Sequence, residues 1–499
     1  MNRILSSIAI LWAASVGCVG HPQLVQDARG GQNASVESET EATMQNEKPQ
    51  AGLSALGEQH RAAAEKIIAA TLAGNDAYEK LETLCLDIGP RLSGSEALDG
   101  AIEWAVGALE ADGHEDVRTE KVMVPKWVRG KESVTMLSPR RAPLSMLGLG
   151  GSVGTPSEGI TAEVVAVVDE AGLEALGKQG VTGKVVLFNN PMPAYSHEKG
   201  TGYGKTVRFR VRGADMASEL GAVAVLVRSV TAHSLDTPHT GMLRYSGKQT
   251  KIPAAAVSVE AAETLARLVR RGHKVSVNLK MEARSMGMVP SANVLAELRG
   301  RDRPEEIVVI SGHLDSWDVG HGAHDDGAGV VIAMEALSVL RRLDLRPSRT
   351  VRVVLWTNEE NGMMGGKTYA REHADELPLH AAAIESDSGG FDPVAIGTRI
   401  KDADKQARGN AVLEGILPLF AALNTTEVMP GASGADISPM LPGGVPLLGL
   451  VSKPDVYFDY HHTPADTIDK VDEDELSRSV AAMAVLAFIL AEMPGRLGD

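Results

Sequence analysis

Residues 307–331 read IVVISGHLDSWDVGHGAHDDGAGVV, residues 351–362 read VRVVLWTNEENG and residues 382–389 read AAIESDSG. Each is an apolar run that ends in histidine or acidic residues. Ile307–Ile310 leads into His313 and Asp315, Val351–Trp356 into Glu359 and Glu360, and Ala381–Ile384 into Glu385 and Asp387. Short apolar or β-branched runs bounded by polar residues predict buried strands of an α/β sheet. Ligands of such sheets bind outside the carboxyl ends of the strands. The pattern therefore predicts that His313, Asp315, Asp325, Glu359, Glu360 and Asp387 meet in one crevice.

Carboxylates crowded together repel one another, and burying them unpaired is costly. Divalent cations remove both objections. Imidazole and carboxylate without thiolate suit zinc, and also manganese or cobalt. Two ions about 3.5–4 Å apart that share one carboxylate form a known hydrolytic arrangement. A second imidazole is then needed, and YFDYHHTPADT, Tyr457–Thr467, offers one. Any one of these residues alone is more often a solvated acid or a satisfied histidine. Their joint placement after apolar runs favours a metallohydrolase.

The order SGHxD, GAxDDGAG, NEExG, ESDSG and HHTxxDT resembles the M28 family of zinc peptidases. IGPRLSGS (Ile88–Ser95) and LVRSVTAHSLDTPHTG (Leu226–Gly241) resemble its plasma glutamate carboxypeptidase, or carboxypeptidase Q, branch. The likeness runs from about Glu58 to the C-terminus. It implies a mostly parallel mixed sheet flanked by helices, the zinc exopeptidase fold, with an inserted β-rich protease-associated domain. It implies two zinc ions, with Asp325 bridging them. His313 and Asp387 complete one site, and Glu360 and His462 the other. Glu359 is the implied general base, and Asp315 is to hold the far nitrogen of His313. His462 is preferred to His461 because it directly precedes TxxDT. Adjacent residues of a strand face opposite ways, so only one of the pair is expected at a metal, with His461 as the alternative ligand.

The resemblance implies hydrolysis of unblocked dipeptides or short peptides by metal-activated water, and a homodimer. An aminopeptidase on longer peptides, a metalloamidase and a non-catalytic binding protein share much of the pattern. The loop Met429–Met440 is expected to lie against substrate through Ser433 and Asp436. Asp436 suits either a substrate α-ammonium or an N-cap. Ser388, after Asp387, and Tyr457, a candidate oxyanion donor, complete the substrate-side candidates. GASGAD lacks a GxSxG elbow, so Ser433 is a poor nucleophile.

The chain has 499 residues, enough for two domains or one large domain with an insertion. With 23% charged and 43% hydrophobic residues it has a globular composition. A formal net charge of −16 argues against nucleic acid or an anionic membrane as partner. Two cysteines, Cys18 and Cys85, exclude a disulfide scaffold. Met1–Gly20 has a basic start and an apolar core too short to span a bilayer, which predicts an export signal. Cys18 resembles a lipoprotein cleavage site with Ser15 in place of the usual leucine. Lipidation there, in the periplasm or on an outer membrane, and plain secretion are both compatible with this segment. Residues 21–57 lack apolar periodicity and read as a disordered tether. Residues 58–126 and 288–499 then form the catalytic domain. Residues 127–287 form the insert, with many short strands and one helix at Val211–Ala222. Cys85 reads as a buried apolar residue, and Arg91 as a structural ion pair. Leu476–Met493 reads as a core helix. The resemblance brings the loop of His233 and His239 to the cleft, outside the ligand set, and plain surface histidines are the alternative.

Overall fold

The computed structural model describes residues 52–499. The export signal, Cys18 and most of the tether lie outside the described residues. The tether's expected end at residue 57 is corrected. A helix already starts at Ala55, capped by the Ser54 hydroxyl, which accepts from the Gly57 N–H.

Eight strands make the first sheet. Their spatial order is Glu115–Val128, Arg284–Leu298, Arg349–Trp356, Arg303–His313, His380–Ser386, Leu447–Ser452, Pro393–Arg399 and Glu427–Pro430. The four central strands run parallel, and antiparallel pairings flank them on both sides. The architecture is therefore α/β with a mixed sheet. Every residue of Arg349–Trp356 and of His380–Ser386 is buried. Strands covered on both faces need such continuous apolar runs. One face packs on the helices Ala328–Arg342 and Glu473–Glu492, the other on Tyr369, Leu377, Ile437 and Met440. The C-terminal helix is a core helix, as its sequence indicated. Among the described residues no helix is long and apolar enough to cross a membrane.

Register decides where the site falls. Ile310 lies level with Val353 on one side and with Ile384 on the other. The three central strands consequently end at one height. His313 at the end of its strand, and Glu359, Glu360 and Asp387 just past the other two, emerge along a single edge.

The second sheet also has eight strands, all between Glu132 and Met281. Its inner strands, Ile160–Val167, Val185–Phe188, Ala224–Arg228 and Ala254–Val257, are parallel. Alternate residues feed two cores. Val185, Leu187 and Leu226 meet the helix Val259–Arg270 on one face. Val186, Phe188 and Val225 meet Phe209 and Ala214 on the other. The expectation of one helix here is corrected. Helices at Glu170–Val181 and Val259–Arg270 join Arg208–Glu219, capped by the Asp169 and Ser258 side chains. This region is thus α/β in its own right. Chain enters and leaves it through the long strands Glu115–Val128 and Arg284–Leu298. They pair antiparallel from Glu115↔Glu297 to Val128↔Arg284.

Two further local expectations change. Tyr457–His462 is no strand: Tyr457–Tyr460 forms one helical turn, and the two histidines follow it. Strands Pro393–Arg399 and Glu427–Pro430 are present in addition to those expected. Cys85 is buried and unpaired, as expected, and burial pushes its thiol up to about 12.

Candidate active site

Asp325 sits in the turn that enters the helix Ala328–Arg342. Its side chain divides between two groups. Oδ1 lies 3.3 Å from His313 Nε2, and Oδ2 lies 3.2 Å from His462 Nε2. His313 Nε2 is also 3.6 Å from Asp387 Oδ1, and His462 Nε2 is 3.0 Å from Glu360 Oε2. Two potential metal-binding groups result, His313–Asp325–Asp387 and Asp325–His461–His462. Asp325 belongs to both. Glu360 reaches the second through His462.

The donors fit divalent ions. Among the described residues, Asp325 Oδ2 and Glu360 Oε1 are buried with no hydrogen-bond partner. A buried carboxylate oxygen without a donor is expensive unless a cation meets it. Protonation tells the same story. Burial drives Glu360 well above the usual carboxylate range, and the neighbouring Asp325 charge adds to it. Glu359 is pushed up to about 8, mainly by burial, with Asp387 and Asp315 adding. His313 is held well above its ordinary value: burial opposes the charge, but Asp325 and Asp387 outweigh it. Burial, aided by His461, holds His462 well below its ordinary value, as a bare metal-binding imidazole requires.

Both histidines of the HH pair face Asp325, which corrects the expectation that one turns away. Their rings stack at 3.5 Å because they leave the end of a helical turn and not a pleated strand. His462 is nevertheless better placed, since His461 Nε2 is 3.8 Å from Asp325 and lacks the glutamate contact. The segment Leu226–Gly241 steadies the pair. His462 Nδ1 lies 3.2 Å from the Thr240 carbonyl, the Thr240 N–H donates to the His462 carbonyl, and His239 bonds the His461 carbonyl. Donation from Nδ1 to Thr240 leaves Nε2 free for a metal. His233 instead pairs with Asp459.

Asp315 also departs from expectation. His313 Nδ1 bonds the Asp315 main-chain carbonyl at 2.8 Å, while the carboxylate lies 3.8 Å away. That carboxylate accepts from the N–H groups of Glu359 and Glu360 and from Ser93 Oγ. It is drawn to them because the turn after Trp356 leaves its amides without strand partners. Among the described residues Arg91 makes no ion pair. Fully buried, it donates to the carbonyls of Leu314, His321 and Gly322 and so shapes the ligand loop. Asp466 was not singled out by the sequence, although it lies within HHTxxDT. Its carboxylate accepts from the N–H groups of His324 and Asp325 and holds the bridging residue in place.

A cavity of about 380 Å³ opens onto Asp325, Glu359, Glu360, Asp387, His461 and His462. Tyr457 lines it as expected. Ser388, Ser433 and Asp436 do not. The Ser388 hydroxyl donates to the Leu450 carbonyl and accepts from the Ser452 N–H, a tie within the sheet. In the Met429–Met440 loop it is Ala435 that faces the cavity. The Asp436 amide docks on Glu385, and its carboxylate is buried without a partner among the described residues, so it caps no helix there. The opposite wall comes from helices and a loop that accompany the second sheet: Tyr203, Arg210, Val211, Met242 and Arg244. Nothing local in the sequence marks these residues. Arg210 lies 252 positions from its neighbour His462.

Residues 293–487 match the model of peptidase family M28. Carboxypeptidase Q of Mus musculus is 41% identical over 419 residues, covering 84% of this chain and 86% of that protein. The crystal structure of a peptidase M28 precursor from Shewanella amazonensis superposes with a TM-score of 0.83 at 37% identity, covering 88% of this chain and 98% of the other. An aminopeptidase from Aneurinibacillus shares the fold, with a TM-score of 0.59 at 19% identity over 87% of this chain and 98% of that one. Together with the two groups that meet at Asp325, these likenesses establish that the chain belongs to peptidase family M28, as a metallo-exopeptidase of the carboxypeptidase Q type with a two-metal site.

Proposed function

We propose that the protein hydrolyses unblocked dipeptides and short peptides, with Glu359 as general base and then general acid. The observation that carries this reading is the placement of Glu359. Glu359 lines the same cavity as Asp325, Glu360, Asp387 and His462, and its carboxylate makes no hydrogen bond among the described residues. When bound, divalent ions would lower the pKa of water and polarise a peptide carbonyl. His313, Asp325 and Asp387 would hold one ion; Asp325, Glu360 and His462 the other, with His461 alongside.

The chain's own groups do the rest. Asp315 fixes the turn that presents Glu359 by accepting its N–H at 2.9 Å. Burial and the neighbouring Asp387 and Asp315 charges raise the Glu359 carboxyl, which makes its carboxylate a stronger base toward water and lets the acid form return the proton to a leaving amine. Tyr457, buried at the wall, keeps its phenol protonated and able to donate to a developing oxyanion. Tyr203 and Phe458, stacked at 4.7 Å, line the wall beside His461 and limit water there. In the same reading residues 127–287 act as a protease-associated insert that completes the cavity, and the enzyme is exported and homodimeric.

The test is a panel of free, N-acetylated and longer peptides, run on metal-loaded, chelated and Glu359→Gln protein. Cleavage of free dipeptides alone, lost on chelation and in the variant, is the expected result. Efficient release of N-terminal residues from long peptides would replace the dipeptide reading with a general aminopeptidase. Inactivity on every peptide would overturn the peptidase reading in favour of other amides.

A further inference from the structure

Three separate segments meet at the Asp325 bridge: the turn of Asp325 itself, the turn after Asp387, and the stretch that carries His461 and His462. One side chain touches all three. His324 directly precedes Asp325 and is fully buried. Its main-chain N–H is held by Asp466, and its ring reaches further. In the turn after Asp387, the Gly390 N–H donates to His324 Nδ1 at 3.1 Å. Nδ1 therefore accepts, the proton stands on Nε2, and the ring is neutral. Nε2 donates to the Lys470 carbonyl at 3.2 Å, at the close of the short helical turn Ile468–Lys470. The face of the ring adds two contacts. Phe391 stacks on it, with centroids 4.1 Å and planes 14° apart. Tyr460, the residue before His461, stands at 5.6 Å and 22°. Gly389 leaves room for this arrangement, since a Cβ there would lie 3.1 Å from Nδ1. Gly390 is 66 positions from His324 and Lys470 is 146, so chain connectivity does not hold these segments together.

We infer that His324 is a positioning residue that holds the Asp387 turn and the His462 segment in register on either side of Asp325, and so lets one carboxylate serve two ions. This inference rests on the ligand assignment above and is independent of the peptide substrate and of the general base. Asp325 turns Oδ1 to His313 and Oδ2 to His462, at 3.3 and 3.2 Å. So even a division requires both flanks at a fixed distance from the bridge. Without the ring bonds the direct ligands remain, but a tie between the two flanks is gone. Asp325 then completes the group of His313 and Asp387, or that of Glu360 and His462, and no longer both at full strength. A residue outside the ligand set acts on metal affinity in this way without donating an atom to the metal.

The experiment titrates zinc, in steps and against a chelating dye, into metal-free wild type, His324→Phe, His324→Asn and His324→Gln. Phenylalanine keeps the stacked ring and loses both bonds. Asparagine places its oxygen where Nδ1 stands and keeps the Gly390 bond alone. Glutamine places its amide nitrogen near Nε2 and keeps the Lys470 bond alone. In His324→Phe one ion should bind as in the wild type and the other about 10–100-fold more weakly, with smaller losses in the two amide variants. Cobalt in place of zinc reads the coordination geometry: the visible absorption of the second equivalent should change, and that of the first should not. Thermal unfolding of the metal-free proteins separates positioning from plain support of the fold. Two ions bound as in the wild type would overturn the inference. Equal weakening of both ions, in step with a lower metal-free melting temperature, would overturn it as well. Should His324→Phe not fold, the same split in the amide variants supports the inference and its absence overturns it. A wild type that holds fewer than two ions would overturn the ligand assignment and the inference with it. No readout uses turnover, so failure of the dipeptide reading leaves the inference standing.

Discussion

Two carboxylates beside the metal-binding residues, Asp315 and Asp466, act on main-chain amides and not on imidazole. Asp315 fixes the turn that carries Glu359 and Glu360, and Asp466 fixes the turn that carries Asp325. Asp466→Ala should therefore weaken metal retention by about 10–100-fold, read by competition with a chelating dye, without changing a ligand. Glu359→Gln should lower kcat by about 10²–10⁴-fold while both ions are retained, read by turnover and metal content together. A different residue sets a pH dependence of stability. His373 bridges Glu120 and Glu376, and although burial opposes its charge, these bonds raise it to about 9. The sign follows from the raised value. Its contribution is complete below about 6.5, the unfolded value, and fades as pH rises through about 9. The melting-temperature gap between wild type and His373→Gln should be widest near pH 6 and narrow by pH 9. His313, Glu359, Glu360 and Asp387 were legible as candidates because each follows an apolar run, whereas the assignment of Asp325 and His462 came from the resemblance to the M28 family. The targets of Asp315, Asp466 and Arg91 were not, because a main-chain acceptor or donor carries no sequence signature.

At the scale of elements, close approach matters more than propensity. Gly329, in the first turn of Ala328–Arg342, has no room for a side chain: a Cβ there would lie 2.0 Å from the Ser386 carbonyl. Gly329→Ala must push this helix off the strand that delivers Asp387. It should cost about 1–3 kcal/mol and weaken metal binding, measured by denaturant unfolding with and without zinc. The C-terminal helix shows the milder case. Asp472 caps Glu473–Glu492 by accepting from the Glu475 N–H, and Asp472→Ala should cost about 1 kcal/mol in the same assay. The buried strands and this helix were legible because length and periodicity are local properties. The turn Tyr457–Tyr460 was not. Four residues hold too little pattern to separate a helical turn from a strand, and that difference brings both His461 and His462 to Asp325. The helix Glu170–Val181 was hidden by its glycines, although Asp169 supplied the cap.

Across the whole molecule, the site depends on how the second sheet is held against the first. Arg129, at the exit of Glu115–Val128, makes a two-point ion pair with Asp318 of the ligand loop and bonds the Gly148 carbonyl of the second sheet. Trp317, next in that loop, packs over Gly150 and meets the His462 ring at 5.5 Å. Arg129→Met leaves Asp318 unpaired at this junction and should cost about 3 kcal/mol, with a raised KM for dipeptides as the wall bearing Arg210 and Arg244 loosens. Removal of the ions should lower the melting temperature of the described unit, since they bind the native state alone; calorimetry before and after chelation reads it. The sequence by itself determined the buried parallel strands, the edge at which their ligands emerge and the kind of chemistry those ligands serve. Burial pattern and strand-end placement follow from neighbours in the chain, and they are written in it. Only the tertiary structure decided which atoms complete the site: both histidines at Asp325, main-chain partners for Asp315 and Asp466, and a far wall from distant segments, with Arg210 252 positions from His462. Such contacts arise from packing between distant segments, which no local pattern of residues encodes.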